Sequence, residues 1–126
     1  MHHSTIALTP EPPYYAVIFT TLRTAVVEGY AQTAERMLQL AADQPGFLGA
    51  ESAREEVGIT VSYWESPEAI RAWKAHAEHV LAREKGRRDW YRAYKTRVCK
   101  VERDYGFNAE NEAIEAEPVA KTAANS

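Results

Sequence analysis

Residues 61–79 read VSYWESPEAIRAWKAHAEH, and this stretch decides the fold. Its first part alternates β-branched or aromatic residues with polar ones, which is typical of a strand. Ser66 is a favoured N-cap residue, and Pro67 suits the first position of a helix, where the amide hydrogen that it lacks would have no partner. The stretch therefore predicts a strand that ends at Glu65 and a helix that begins directly after it.

The sequence before this stretch predicts a strand and a helix. Residues 14–22 are dense in β-branched and aromatic side chains, with apolar positions on both faces, as in a strand inside a sheet. From about residue 29 the apolar spacing becomes helical, and Pro45-Gly46 ends the helix. The predicted core stripe of this helix consists of Tyr30, Ala34, Met37, Leu38 and Ala41.

The remaining elements lie on either side of the opening stretch. Residues 47–54 and 59–65 form a predicted antiparallel hairpin, and Gly58 in its turn is expected to adopt a positive φ angle. After the second helix, a break is predicted near Gly86, followed by a short third helix and a last strand over about residues 94–104.

The resulting order, β-α-β-β-α-β, is the ferredoxin-like split βαβ arrangement of the α+β class. Helices on one face of a four-stranded sheet leave the other face bare. We expect a second copy of the chain to cover it, so that a homodimer closes into an α+β barrel. The domain is placed at residues 14–107, between a flexible arm at 1–13 and a polar, disordered tail at 108–126.

Composition restricts the partners. The 126 residues, 45% of them apolar, suffice for one small globular domain. A formal net charge of -3 gives no basic excess, so nucleic acid is not expected as a partner.

No apolar run approaches the roughly 18 residues that cross a membrane, and the N-terminus lacks an export-signal pattern. With Cys99 as the only cysteine, a cytoplasmic protein is predicted.

The second helix carries Trp73, His76 and His79 at three-residue steps, so these side chains are neighbours on its surface. Either Trp73 is a core anchor and the two imidazoles are boundary residues with apolar bodies and solvated tips, or all three side chains line a cavity between the helix and the sheet. In a cavity, partial burial and nearby Arg83 or Arg87 would leave a neutral imidazole as a base near pH 7. Metal binding is a weaker third interpretation, because zinc needs further ligands and none stands at a fixed spacing.

A second aromatic and basic group follows the second helix. The simplest interpretation has a solvated basic face and an aromatic contribution to the core; the basic residues are Arg87, Arg88 and Arg92, and the aromatic ones are Trp90, Tyr91 and Tyr94. The functional alternative is a lid, in which the arginine meets an anionic or phenolic oxygen and the rings stack on a flat substrate. No Gly-rich phosphate loop, Ser-His-Asp order or paired-carboxylate signature is present in the sequence, so phosphate transfer and triad hydrolysis are not expected.

Residues 44–49, QPGFLG, and the motif YWES-x3-I-x2-W at residues 63–73 resemble the antibiotic biosynthesis monooxygenase family, over about residues 14–105. The resemblance implies a dimeric α+β barrel. It also implies the chemistry of the best-known members, which oxidise polycyclic phenols to quinones with O2 and neither metal nor flavin. Trp73 matches a tryptophan that contacts substrate in these enzymes, and His79 stands where they have a tyrosine.

These observations predict a cofactor-independent monooxygenase that acts on a small aromatic or phenolic molecule. His79 is expected to be the base, with His76 as its neighbour. The other predicted site residues are Trp64, Trp73, Trp90, Tyr94 and, for the developing oxyanion, Arg87. The alternative is a non-catalytic binding or accessory module. A haem-degrading enzyme is disfavoured, because Arg83 stands where that branch of the family has its iron-ligating histidine.

Overall fold

Four antiparallel strands and two helices make up the described part of the chain. The computed structural model describes residues 6–83, the side chains of 81–83 excepted, and residues 90–109. The elements in chain order are β1 (Tyr14–Arg23), α1 (Tyr30–Ala42), β2 (Phe47–Arg54), β3 (Val57–Trp64), α2 (Pro67–Arg83) and β4 (Tyr91–Val101). The strand order across the sheet is β2-β3-β1-β4. The predicted ferredoxin-like α+β fold is confirmed.

The start of α2 follows the prediction. The backbone amide of Ala69 donates a hydrogen bond of 3.0 Å to Ser66 Oγ, and Pro67 is the first helical residue. This cap fixes the direction in which α2 leaves β3, so that Ile70 packs against Trp64. Neither of the two described helices is long and apolar enough to cross a membrane.

The core lies between the helices and one face of the sheet. Trp64 is completely buried, and Ala41 of α1 and Ile70 of α2 are the buried residues packed with it. Tyr15 of β1 faces Trp64 in register. Because side chains alternate along a strand, the odd-numbered residues of β1 point toward the helices.

The opposite face of the sheet, which we call the outer face, is the one that the helices leave bare. Ile18 of β1 pairs there with Val61 of β3, and the neighbouring Val57 and Ile59 are 45% and 43% exposed. Cys99 of β4 is also exposed on this face. The sheet therefore presents the bare apolar surface that the strand alternation predicts.

Residues 6–13, the described part of the predicted arm, contact one end of the outer face. The amide of Ala7 donates a hydrogen bond of 2.8 Å to Glu51 Oε2. The Tyr14 hydroxyl accepts a hydrogen bond of 3.0 Å from Thr9 Oγ1 and donates one to Asp104. Of the predicted tail at 108–126, only residues 108 and 109 lie within the described part.

The predicted core stripe of α1 is wrong at two positions. Ala34 is exposed, and Leu38 is 41% exposed. The prediction is confirmed at Ala41, which is buried, and at Met37, which is half-buried, while Leu40 takes the half-buried place expected for Leu38. Both stripes repeat at helical spacing, so the apolar pattern predicts the helix but does not fix its rotation about its own axis.

β3 begins at Val57, two residues earlier than predicted, and Gly58 lies inside the strand without a positive φ angle. The prediction of a positive φ angle at Gly58 is wrong. This glycine lies in the strand and leaves space for a neighbouring side chain. A Cβ atom at residue 58 would collide with the Arg54 guanidinium. Arg54 Nη2 uses this space to donate a hydrogen bond to Thr21 Oγ1 on β1.

β4 also begins earlier than predicted. Tyr91 is its first residue, so Tyr91 and Tyr94 are strand residues and do not belong to a third helix. The physical reason is that β1 offers partners for β4 as far as Arg23, and pairing satisfies the backbone of the segment. Residues 84–89, which contain the predicted break at Gly86, lie outside the described residues.

Candidate functional site

Three rings from the sheet and α2 lie next to one another in a row, which we call the indole–imidazole stack. The indoles of Trp64 and Trp73 are stacked, with centroids 6.1 Å apart and planes 22° apart. The imidazole of His76 follows, with its centroid 5.8 Å from that of Trp73. Trp73 and His76 are one helical turn apart, so the α2 spacing seen in the sequence places these two rings in contact.

His76 provides the polar atom of this stack. Its side chain is half-buried, and its Nε2 atom is shielded from solvent with no hydrogen-bond partner among the described residues. An unpaired polar atom in the interior costs about 1–3 kcal/mol relative to one that is hydrogen-bonded. A ligand hydroxyl that bonds to Nε2 would recover that energy, so the atom is suited to bind a polar group on a flat molecule.

The other predicted residues of this group occupy different environments. His79 is exposed, although it lies only three residues from His76. Trp64 is fully buried, and its Nε1 atom donates a hydrogen bond of 2.9 Å to Ser62 Oγ. Trp64 therefore does not face a ligand but holds the Trp73 ring in place by stacking against it. Arg87, the predicted partner of an oxyanion, lies outside the described residues.

Trp90 and Tyr94 belong to a second aromatic group. Trp90 is buried, its Nε1 atom donates to the Glu28 carbonyl oxygen at 3.0 Å, and its ring meets the edge of Tyr30. The Tyr94 ring lies 5.5 Å from that of Phe19. Phe19 is four residues along β1 from the position that faces Trp64, which corresponds to about 13 Å. The two aromatic groups therefore lie at different ends of the helix-covered face.

The sequence pattern missed two members of the second group, Arg23 and Tyr30, whereas Tyr91 belongs to the predicted aromatic group with Trp90 and Tyr94. The Arg23 guanidinium lies 3.5 Å from the centroid of the Tyr30 ring. The Tyr91 ring is 6.0 Å from that of Tyr30. Tyr30 was predicted as a core residue only. The missed signal was a basic residue that ends β1 shortly before the aromatic residue that begins α1.

The outer face holds Tyr63, whose hydroxyl has a raised pKa. Tyr63 donates a hydrogen bond of 2.7 Å to Glu51 Oε1. Burial, followed by this hydrogen bond to a carboxylate, raises the pKa of Tyr63 to about 12. Because Glu51 also accepts the amide hydrogen of Ala7, the pair fastens the N-terminal segment to the sheet. Its contacts are structural, and it lies on the face opposite His76.

Within residues 6–83 and 90–109, side chains of the metal-binding types do not come together in groups of three or more. His76 and His79, the pair considered from the sequence, therefore have no third ligand of these types among the described side chains.

The chain is similar in sequence to one protein family and similar in fold to several solved structures. The antibiotic biosynthesis monooxygenase family matches residues 13–85. The uncharacterized protein YqjZ of Bacillus subtilis is 59% identical over 104 residues, which cover 81% of this chain and 91% of YqjZ. A candidate antibiotic biosynthesis monooxygenase of Nitrosomonas europaea has a TM-score of 0.57 at 11% identity, over 80% of this chain and 99% of that one. PA3566 of Pseudomonas aeruginosa has a TM-score of 0.50 at 16% identity, over 76% and 99%.

Proposed function

The chain belongs to the antibiotic biosynthesis monooxygenase family, and on this basis we propose that it is a cofactor-independent monooxygenase of a small aromatic phenol. One observation carries the proposal: the imidazole of His76 lies beside the ring of Trp73, and its Nε2 atom is buried with no hydrogen-bond partner among the described residues. The rings provide a flat apolar contact, and the nitrogen provides an acceptor for a phenolic proton. These are the two features that a phenol needs for binding and ionisation.

The stack sets the expected shape of the substrate. Aromatic pairs in offset or edge-to-face contact gain about 0.5–1.5 kcal/mol beyond the area that they bury. A flat ring seated on Trp73 would gain this contact while its hydroxyl reached His76. An aliphatic molecule of the same size would lose the ring contact, so a phenol or hydroquinone is favoured.

The proposed reaction begins when His76 Nε2 takes the phenolic proton. The phenolate is electron-rich enough to reduce O2, and a C–O bond then forms between a ring carbon and one oxygen atom. The O–O bond breaks, and the first oxygen stays on the ring as a carbonyl. The second leaves as water with the proton from that ring carbon and the proton that His76 held. The balance is phenol plus O2 to quinone plus water.

We propose His76 as the base in preference to His79, because the imidazole of His79 is exposed. Water would compete with the substrate for an exposed nitrogen, whereas the Nε2 atom of His76 is shielded from solvent. His79 then lies near the edge of the site. Trp64 supports the ring of Trp73, and Arg87 remains a sequence-based proposal for the oxyanion.

We also propose that the protein is a homodimer that forms through the outer face. Val57 and Ile59 are large apolar residues, nearly half-exposed there, and Ile18 and Val61 extend the patch. Apolar side chains in such a continuous group mark interaction surfaces. A second copy would cover them through the same patch on both subunits.

Oxygen uptake across a panel of hydroquinones and anthrones tests the proposed function. The unmodified chain is expected to consume O2 with at least one of them, and His76→Ala is expected to slow uptake by about a hundredfold or more. His79→Ala, which removes an imidazole one turn away, is the matched control and should retain uptake. Saturable quenching of tryptophan fluorescence without O2 uptake would instead identify a non-catalytic binding module.

A further inference from the structure

Two arginines converge at the end of the helix-covered face that lies away from the indole–imidazole stack. Arg54 leaves β2, crosses β3 where Gly58 has no side chain, and donates a hydrogen bond to Thr21 on β1. Arg23 follows two residues after Thr21, beyond the irregular pairing with β4, and lies over the ring of Tyr30. This end of the helix-covered face thus holds two positive charges.

Neither charge is neutralised by a described carboxylate. Arg23 Nη2 donates to the carbonyl oxygen of Val26 at 3.0 Å, and Arg54 Nη2 donates to the hydroxyl of Thr21. Arg23 Nε is shielded from solvent and has no hydrogen-bond partner among the described residues. A guanidinium N–H that is out of contact with water and unpaired is a donor that lacks its acceptor.

The first turn of α1 adds a further attraction for anions at the same place. Gly29 precedes the helix and has no side chain to cap it, and the first turn carries no acidic residue. No acidic residue of the first turn therefore offsets the partial positive charge of the helix N-terminus. Tyr30, the first helical residue, is the ring on which Arg23 lies.

Aromatic rings border the two arginines. Phe19 contacts Tyr91 at 5.9 Å and Tyr94 at 5.5 Å between centroids, and Tyr94 is 49% exposed. Burial and a hydrogen bond with Tyr30 raise the pKa of Tyr91, against the opposing influence of Arg23 and Arg54. The Tyr91 hydroxyl therefore stays uncharged and does not repel an anion.

We propose that Arg23, Arg54 and the rings of Phe19, Tyr91 and Tyr94 form a binding site for an aromatic carboxylate. The carboxylate would accept hydrogen bonds from Arg23 Nε and the Arg54 guanidinium, since the planar fork of arginine matches a carboxylate. The aromatic body would lie against the exposed side of Tyr94. This site is separate from His76, so it stands whether or not the chain is a monooxygenase.

Isothermal titration calorimetry with three probes tests both halves of the site. The probes are 2-naphthoate, its neutral counterpart 2-naphthalenemethanol, and acetate, which has the charge but no ring. The full chain is expected to bind 2-naphthoate at least about tenfold more tightly than either of the others. Equal affinity for naphthoate and the alcohol, or no naphthoate binding, would overturn the proposal.

Variants locate the binding. Arg23→Gln and Arg54→Gln are each expected to weaken 2-naphthoate binding by about tenfold. Arg71→Gln is the matched control, because it removes the same charge from the exposed surface of α2 and should leave the affinity unchanged. His76→Ala should leave it unchanged as well. Loss of binding in His76→Ala but not in Arg23→Gln would place the ligand in the indole–imidazole stack and refute the second site. Arg23→Lys, which keeps the charge and the packing stem, checks that any loss is not one of folding.

Discussion

The imidazole of His76 lies beside the indole of Trp73 with the ring planes 39° apart, and its Nε2 atom is closed off from solvent. At position 76, the residue that would best stabilise the fold differs from the residue that the proposed function needs. An apolar residue of similar size would fill the same space without an unpaired polar atom. The phenol proposed as the substrate would supply the hydrogen-bond partner that Nε2 lacks among the described residues.

His76→Leu is therefore expected to keep or raise the free energy of unfolding, by up to about 2 kcal/mol, because it removes an unsatisfied buried nitrogen. The same substitution should abolish the proposed oxygen uptake. Urea denaturation followed by tryptophan fluorescence measures the first effect. His79→Leu, at an exposed position, should change stability by less than about 0.5 kcal/mol. Destabilisation of His76→Leu by more than 1 kcal/mol would mean that Nε2 has a partner in the folded chain.

Gly58→Ala tests the space that lets Arg54 cross the sheet. A Cβ atom would displace the guanidinium and break its hydrogen bond with Thr21, so we expect a loss of about 1 kcal/mol in stability. The affinity for 2-naphthoate should also fall, because the displaced Arg54 guanidinium is one of the two proposed donors to the carboxylate. Gly106→Ala is the control, because a Cβ atom there meets open space. If both substitutions have the same small effect, Arg54 does not depend on the gap at residue 58.

Much of the fold is predictable from local signals. Ser66 and Pro67 specify the start of α2 by hydrogen bonding and backbone geometry alone, and the structure has the helix there. The rotation of α1 was not predictable, because Leu38 and Leu40 suit a core stripe equally well and only packing against the sheet selects Leu40. The early start of β4 depends on partners supplied by β1, which are distant in sequence.

The candidate site was predictable only in part, for the same reason. Helical spacing places Trp73 and His76 in contact, and it does so correctly. Separating the half-buried His76 from the exposed His79 requires knowledge of what covers each side of α2. The sequence does not predict the arginine pair, since Arg23 and Arg54 are 31 residues apart and come near each other only through the sheet register and the gap at Gly58.

Alkaline pH should destabilise the protein through Tyr63. Its pKa is about 12 in the folded chain and 10.0 in the reference state, so between these values the folded state holds more protons than the unfolded one. Stability linked to this group is therefore fully present below pH 10 and is lost as the pH rises toward 12. Denaturation at a series of pH values measures the slope, and Tyr63→Phe should reduce it. An unchanged slope in this variant would assign the alkaline loss to other tyrosines, such as Tyr91.

Ile59→Lys tests the proposed dimer. Ile59 is 43% exposed on the outer face, so a lysine there is well solvated in a single chain but buried in the proposed interface. We expect the unmodified chain to have twice the monomer mass in light scattering after size exclusion, and the variant to dissociate at concentrations about a hundredfold higher. Leu38→Lys is a close control, since Leu38 is 41% exposed but lies on α1, away from the outer face. A monomeric unmodified chain, or equal dissociation of the two variants, would exclude an interface centred on Ile59.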